Sequence, residues 1–287
     1  MRPLSPALAA GEGFRLLRRE PRALVAWTLV WFATFSVAAW VVAAGKPVAV
    51  HMGAPATLGG IALRFGPFWA LLIALFLLVW LVTAVAAFRA VLRPNERRWF
   101  YLRLSGDEYR LGLMTIVAFT AAIPLGALPA YLVFVLANPF IRALPAATRD
   151  IAGIGVLITV WLDIWLGVRL SLIAVETFSE RRFHLTAYWP VTRGRFWYLL
   201  GCYFLLFLVF LGLTVVFVPL VGLLSNAAVA QVRAGDLVTS GGLLLQAGVL
   251  ALLISLFWTL SSTLFYACQA HAFRAIVGEG RDGVAPA

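Results

Sequence analysis

Six long apolar runs constrain this chain more than any other feature. They cover residues 23–44, 66–88, 111–137, 151–175, 196–224 and 243–270. At 1.5 Å per residue, roughly 20 helical residues cross a hydrocarbon core about 30 Å thick, and each run reaches that length. A membrane β-barrel would need segments of about ten alternating residues, and stretches such as Leu71 to Leu81 do not alternate. Backbone amides in lipid have no water to bond, so helices are the structure open to such runs. The expected fold is all-α: a polytopic membrane protein with six transmembrane helices arranged as three hairpins, forming a single integral membrane domain over residues 1–287.

Composition fits this expectation. Hydrophobic residues make up 63% of the 287 and charged residues only 12%, against roughly half and a quarter in soluble domains. The net charge of +11 would suggest nucleic acid in a soluble protein, but beside six apolar runs it points to the cytoplasmic leaflet of a bilayer. No nucleic-acid partner is expected. Cys202 and Cys268 sit within apolar runs as small packing residues, and His51, His184 and His271 have no metal-ligand spacing. No metal and no cofactor are expected. Arg15, Arg18, Arg19 and Arg22 precede the first run like the n-region of a signal peptide. That run is longer than an h-region of about 7 to 15 residues and holds Trp27, Trp31 and Trp40, so it is expected to be retained.

Orientation follows from the basic residues. Arg2, Arg15, Arg18, Arg19 and Arg22 lie before the first run, and Arg89, Arg93, Arg97, Arg98, Arg103 and Arg110 lie about the second loop. Arg181, Arg182, Arg193 and Arg195 lie in the fourth loop, and Arg274 and Arg281 in the tail. These are 17 of the 23 Lys and Arg residues, all on one side of a six-span chain. Cytoplasmic loops carry that excess, so both termini are expected in the cytoplasm.

Two cytoplasmic segments look alike. Glu96-Arg97-Arg98-Trp99 and Glu180-Arg181-Arg182-Phe183 lie 84 residues apart, the length of one hairpin, and Gly106 and Gly194 follow. A tandem duplication would give this spacing. From Leu92 to Leu111, Trp99, Phe100, Leu102, Leu104 and Tyr109 interleave with arginines. That pattern predicts a short amphipathic helix in the headgroup plane, with a weaker version in the N-terminal arm at Phe14, Leu17 and Arg18. Trp189 and Trp197 bracket Arg193 and Arg195 in the same way. Anionic lipid headgroups are the expected partner of these segments, with an unidentified membrane or cytoplasmic protein as the alternative.

A second candidate site lies inside the membrane. Asp163 is 13 residues from both Asp150 and Glu176, the acids that bound the fourth run, and so falls near the bilayer midplane. A carboxylate there costs about 2.5 to 3.5 kcal/mol, so it is expected to be protonated, paired or facing a wet cavity. Thr159 and Gly167 share its helical face, whereas Arg169 is rotated about 120° away and reaches toward Glu176 or the cytoplasmic surface. In the sixth run, Ser255, Thr259, Ser262, Tyr266 and Gln269 recur at intervals of four and three, which predicts one polar stripe. The stripe serves either close helix packing or a polar cavity shared with Asp163. For the whole protein the expectation is an interaction or envelope-associated module with a basic cytoplasmic surface, and the alternative a small transporter or permease with a midplane polar site around Asp163.

Other features carry less. Pro124, Gly126 and Pro129 are expected to bend the third run, and Pro219 with Gly212 and Gly222 the fifth. Glu176 and Glu180, one turn apart, have Arg181 and Arg182 beside them and read as a charge-balanced interfacial helix. No nucleophile elbow, Walker loop or dinucleotide fingerprint occurs, and no enzymatic activity is expected.

The run Val168-Arg169-Leu170-Ser171-Leu172 into Glu180-Arg181-Arg182, then Trp189 and Thr192-Arg193-Gly194-Arg195-Phe196-Trp197, resembles a loose group of bacterial six-helix membrane proteins. The group includes YciC-like inner-membrane proteins and the membrane domain fused to some glycerophosphodiester phosphodiesterases. About 30 residues carry the resemblance. It implies architecture rather than chemistry, and no catalytic residue carries over. Under it, Arg169, Trp189, Thr192 and Gly194 are implied to set how the fourth and fifth helices meet at the cytoplasmic face.

Overall fold

The computed structural model describes residues 5–44, 67–103, 105–122, 161, 164–180, 192–233 and 241–282. The described elements are helical: α1 (Pro6–Arg19), α2 (Pro21–Ala44), α3 (Pro67–Leu92), α4 (Gly106–Ala122), α5 (Ile173–Glu180), α6 (Phe196–Arg233) and α7 (Gly241–Asp282), with a four-residue turn, Arg98–Tyr101, between α3 and α4. Among the described residues, four helical stretches are long and apolar enough to cross a membrane: Pro21–Ala39, Leu71–Leu92, Phe196–Asn226 and Leu245–Gly278. They coincide with the first, second, fifth and sixth apolar runs. α4 carries the start of the third run and residues 164–175 the end of the fourth. Apart from Trp161, the rest of both runs lies outside the described residues, Pro124, Gly126 and Pro129 included.

The helix ends follow from local chemistry. Glu20 interrupts α1 and α2, and Pro21 takes the first position of α2, where its missing N–H costs nothing. Arg18 and Arg19 close α1 at the negative end of its dipole. α3 runs on to Leu92 and stops before Pro94. α4 opens with a capping box: the Ser105 amide and hydroxyl both donate to Glu108 Oε2 at 2.7 Å, and the Asp107 amide donates to Ser105 Oγ at 3.3 Å. α6 and α7, at 38 and 42 residues, are about 57 and 63 Å long and exceed the hydrocarbon thickness. Pro219 lies inside α6 without ending it.

Contacts divide the chain into two units. One comprises Glu12–Arg103 and Leu206–Ala267, the other Met1–Gly11, Leu104–Leu205 and Cys268–Ala287. In the first, α2 packs on α3. α2 buries Ala23, Trp27, Thr28, Trp31 and Thr34 on one face and exposes Val25, Leu29 and Val37 on the other. An apolar outer face is what lipid permits and water does not. Trp31 is fully buried among Phe35, Phe76 and Trp258, with ring centroids at 5.8, 6.0 and 5.5 Å. The last turns of α3, Ala84 to Val91, are buried all round, and four alanines there leave room for neighbours. Gly13 of α1 lies so close to α7 that a Cβ would stand 2.7 Å from Leu264 Cα.

In the second unit, α4 packs on α5. Met114, Leu172, Val175 and Phe178 are buried there with Leu199 and Cys202 of α6 and Cys268, Ala272 and Ile276 of α7. Both cysteines are free thiols. Pro6 lies against Gly201, where an added Cβ would come within 3.2 Å of its ring.

Candidate functional site

The basic, aromatic segment after α3 departs from the amphipathic helix expected over Leu92 to Leu111. The chain instead makes a left-handed turn. Trp99 (φ 52°, ψ 38°) and Phe100 (φ 56°, ψ 36°) have left-handed backbone, and Tyr101 follows at φ 66°. Pro94 stops the helix on one side and Gly106 restarts it on the other, so the intervening residues cannot join a continuous helix. The left-handed region costs about 1–2 kcal/mol per non-glycine residue, and three aromatic residues in a row occupy it here.

The surrounding residues hold this conformation. The fully buried Arg89 of α3 donates from Nη1 to the carbonyls of Tyr101 and Arg103, at 3.2 and 3.3 Å. Trp27 of α2 donates its Nε1–H to the Phe100 carbonyl at 2.9 Å. The Leu102 amide closes the turn onto the Trp99 carbonyl at 3.0 Å. Glu20, at the α1–α2 junction, gathers three neighbours. Arg97 Nε donates to its Oε1 at 3.0 Å and Arg97 Nη2 contacts the same atom, Arg19 approaches at 3.9 Å, and the Tyr101 hydroxyl donates to it at 3.5 Å. Burial holds the Tyr101 phenol above its ordinary range, so it stays a donor. Arg103 pairs with Glu96 at 2.5 Å. The outcome is sorted side chains: Tyr101 is buried, while Trp99 is 81% and Phe100 46% exposed, with Arg97 and Arg98 exposed beside them.

Two placements correct the sequence reading. Arg89 counts among the loop cations there, yet it is a buried residue of α3 whose charge binds backbone carbonyls. The single amphipathic helix is replaced by a turn. Nothing in residue periodicity distinguishes Arg89 from Arg93; the signal nearest to it is the run of small residues Ala84, Ala86, Ala87 and Ala90, which makes space for a long side chain. Trp27 as the lock on Phe100 was equally illegible, since 73 residues separate them.

A second basic, aromatic group surrounds the start of α6. Arg169 donates from Nη1 to the buried Thr192 Oγ1 at 3.2 Å, and its guanidinium lies 5.4 Å from the Trp165 ring centroid. Thr192 and Trp165 are thus neighbours of Arg169 beyond the Glu176 or cytoplasmic surface expected from sequence. Gly194 takes φ +78°, a conformation suited to glycine, as the chain turns into α6. Arg195 donates to the Ile276 carbonyl near the end of α7 at 3.3 Å. Trp161 meets Phe196 and Trp197 edge-on and tilted at 6.1 and 6.5 Å, and Trp197 and Arg193 are exposed. On α5, burial and the neighbouring Glu180 push the Glu176 carboxyl up to about 7. Arg181, Arg182 and Trp189 lie outside the described residues.

Asp163 and Thr159 also lie outside the described residues. Of their proposed partners, Ser255, Thr259 and Ser262 donate back to their own helix, to the carbonyls of Ala251, Ser255 and Trp258 at 2.6 to 2.8 Å. The buried stripe differs by one residue from the expected one: Ser255, Thr259, Tyr266 and Gln269 are buried, Ser262 is half-buried, and Thr263 is buried in its place. Counted from the buried Thr259, Thr263 at i+4 lies about 40° round the helix and Ser262 at i+3 about 60°, so Thr263 stands nearer the buried face at this level. Tyr266 stands edge-on to Trp80 and Phe88, at 6.2 and 5.4 Å, so its ring is part of an aromatic core.

Comparison with protein-family models, with curated proteins and with solved structures finds no match.

Proposed function

We propose that the protein is a non-enzymatic interaction module of a bacterial inner membrane, with six spans in three hairpins, both termini in the cytoplasm, and a basic, aromatic cytoplasmic surface that engages anionic lipid headgroups. The resemblance to YciC-like proteins and to phosphodiesterase-fused membrane domains accords with that architecture. One observation carries the reading. The chain sustains a left-handed turn of three aromatic residues, braced by Arg89 and Trp27, and its result is to expose Trp99 and Phe100 beside Arg97 and Arg98. Strain kept at a surface is a mark of function, and Trp and Arg together favour the headgroup layer.

Trypsin provides the test. The protein is placed in nanodiscs of phosphatidylcholine alone or mixed with phosphatidylglycerol, and cleavage at Arg97 and Arg98 is timed. Slower cleavage with anionic lipid, reversed by salt, is expected. Equal rates in both nanodiscs would sink the proposal.

A further inference from the structure

Beside the left-handed turn lies a shallow, open groove of about 410 Å³, lined by Pro21, Arg22, Val25, Ala26, Leu29 and Phe100. Its α2 residues fall on one helical face, and its far wall is the Phe100 ring. Phe100 reaches the groove from the left-handed turn, and its carbonyl accepts the bond from Trp27.

The lining of the groove is almost wholly apolar, with a single cationic residue at one end. Arg22 stands at the end nearest the α1–α2 junction, and Val25, Ala26 and Leu29 continue along Pro21–Ala39, one of the stretches able to cross a membrane. From Arg22 to Leu29 is about 10 Å along the helix axis. A cation at the boundary followed by an apolar channel running inward is the order of a phospholipid, phosphate first and acyl chain after. Charge supports the same occupant. The nearby Arg15, Arg19, Arg97 and Arg103 each have an acidic partner, Glu12, Glu20 or Glu96. Arg22, like Arg18 and Arg98, is exposed with no acidic partner among the described residues, and of these three it is the one that lines the groove.

We propose that this groove binds one anionic phospholipid, its phosphate on Arg22 and one acyl chain along Val25, Ala26 and Leu29 against Phe100. The inference deepens the proposed function and rests on its placement of the α1–α2 junction at the membrane boundary. It adds a discrete, stoichiometric site to a surface that would otherwise attract lipid diffusely.

Native mass spectrometry of the full-length protein in detergent, with phosphatidylglycerol and phosphatidylcholine as probes, tests it. The wild type is expected to retain one phosphatidylglycerol under activation that strips phosphatidylcholine. Ala26→Trp fills the groove and Arg22→Gln removes the cation, and each is expected to lower the retained phosphatidylglycerol about tenfold, the loss of one charge-assisted contact or of the chain's seat. Arg22 is exposed, so Arg22→Gln decides alone if Ala26→Trp does not fold. Equal retention of both lipids by the wild type, or wild-type retention by Arg22→Gln, overturns the site. Trypsin protection in anionic nanodiscs without a retained lipid would overturn the site while leaving the surface reading standing.

Discussion

The indole Nε1–H of Trp27 on α2 donates to the backbone carbonyl of Phe100 at 2.9 Å, across 73 residues of sequence. This bond fixes a left-handed backbone to the flank of a helix long and apolar enough to cross a membrane. Trp27→Phe keeps a buried aromatic ring, smaller by one fused ring, and removes the donor. It is expected to lower stability in detergent by about 1–2 kcal/mol and to accelerate tryptic cleavage at Arg98. A thermal unfolding curve with a cleavage time course measures both, and an unchanged cleavage rate would show that the turn does not depend on Trp27.

Trp99 supplies a test of stored strain. The side chain is exposed, so replacing it removes little packing, and glycine takes a left-handed conformation without a Cβ clash. Trp99→Gly is expected to raise stability by about 0.5–1 kcal/mol, the relief of strain less the backbone entropy of glycine. The same variant is expected to lose protection from trypsin in anionic nanodiscs. Stabilisation with protection intact would separate the strain from lipid contact.

Arg89 is buried and gives donors to two carbonyls. Arg89→Met, similar in length but without donors, leaves those carbonyls unsatisfied and is expected to cost about 2–4 kcal/mol. Arg89→Lys offers a single compact ammonium in place of the planar fork and is expected to recover only part of it. Chemical unfolding of the three proteins ranks them; Lys equal to Arg would mean that charge alone suffices.

Glu176 makes stability depend on pH. Its ordinary value of 4.5 is raised to about 7 by burial and by Glu180, so the folded state holds the proton more tightly than the unfolded chain. The associated stability is present below 4.5 and is lost as pH rises through about 7. Glu176→Gln keeps the group neutral. It is expected to exceed the wild type by about 1 kcal/mol at about pH 8 and to match it near pH 4. Parallel melting curves across that range would refute the titration.

Gly11 and Gly13 form a matched pair in one helix. A Cβ at Gly13 would stand 2.7 Å from the Leu264 Cα, whereas nothing lies within 4 Å of one at Gly11. Gly11→Ala is expected to stabilise α1 by about 0.5–1 kcal/mol through helix propensity. Gly13→Ala is expected to destabilise by about 1–3 kcal/mol through overpacking. Melting temperatures moving in opposite directions are the expected signature.

Periodicity and length alone sufficed for α2, α3, α6 and α7 as helices fit to cross a membrane, because lipid demands an unbroken, internally bonded apolar helix and that demand is written in consecutive residues. The N-terminal arm is a helix, but its buried face is Ala9 and Leu16, whereas Phe14, the aromatic residue that stood out in sequence, is exposed and Leu17 half-buried. Sequence also singled out Arg97, Arg98 and Trp99 as a surface group by composition. What composition could not carry was handedness. Phe100 becomes a groove wall only through Trp27 and Arg89, residues distant from it in sequence whose donors find its turn in space.

Arg89 and Arg93 lie four residues apart, and so would share a helix face, yet one is buried against carbonyls and the other half-buried at the helix end. Gly11 and Gly13 are indistinguishable in sequence, and only the approach of Leu264 separates them. The apolar runs determined which segments leave water, since burial in lipid is a property of a segment's own side chains. Tertiary structure alone decided which arginine is enclosed, which glycine is irreplaceable and which way the turn winds, since those outcomes depend on atoms brought in from elsewhere in the chain.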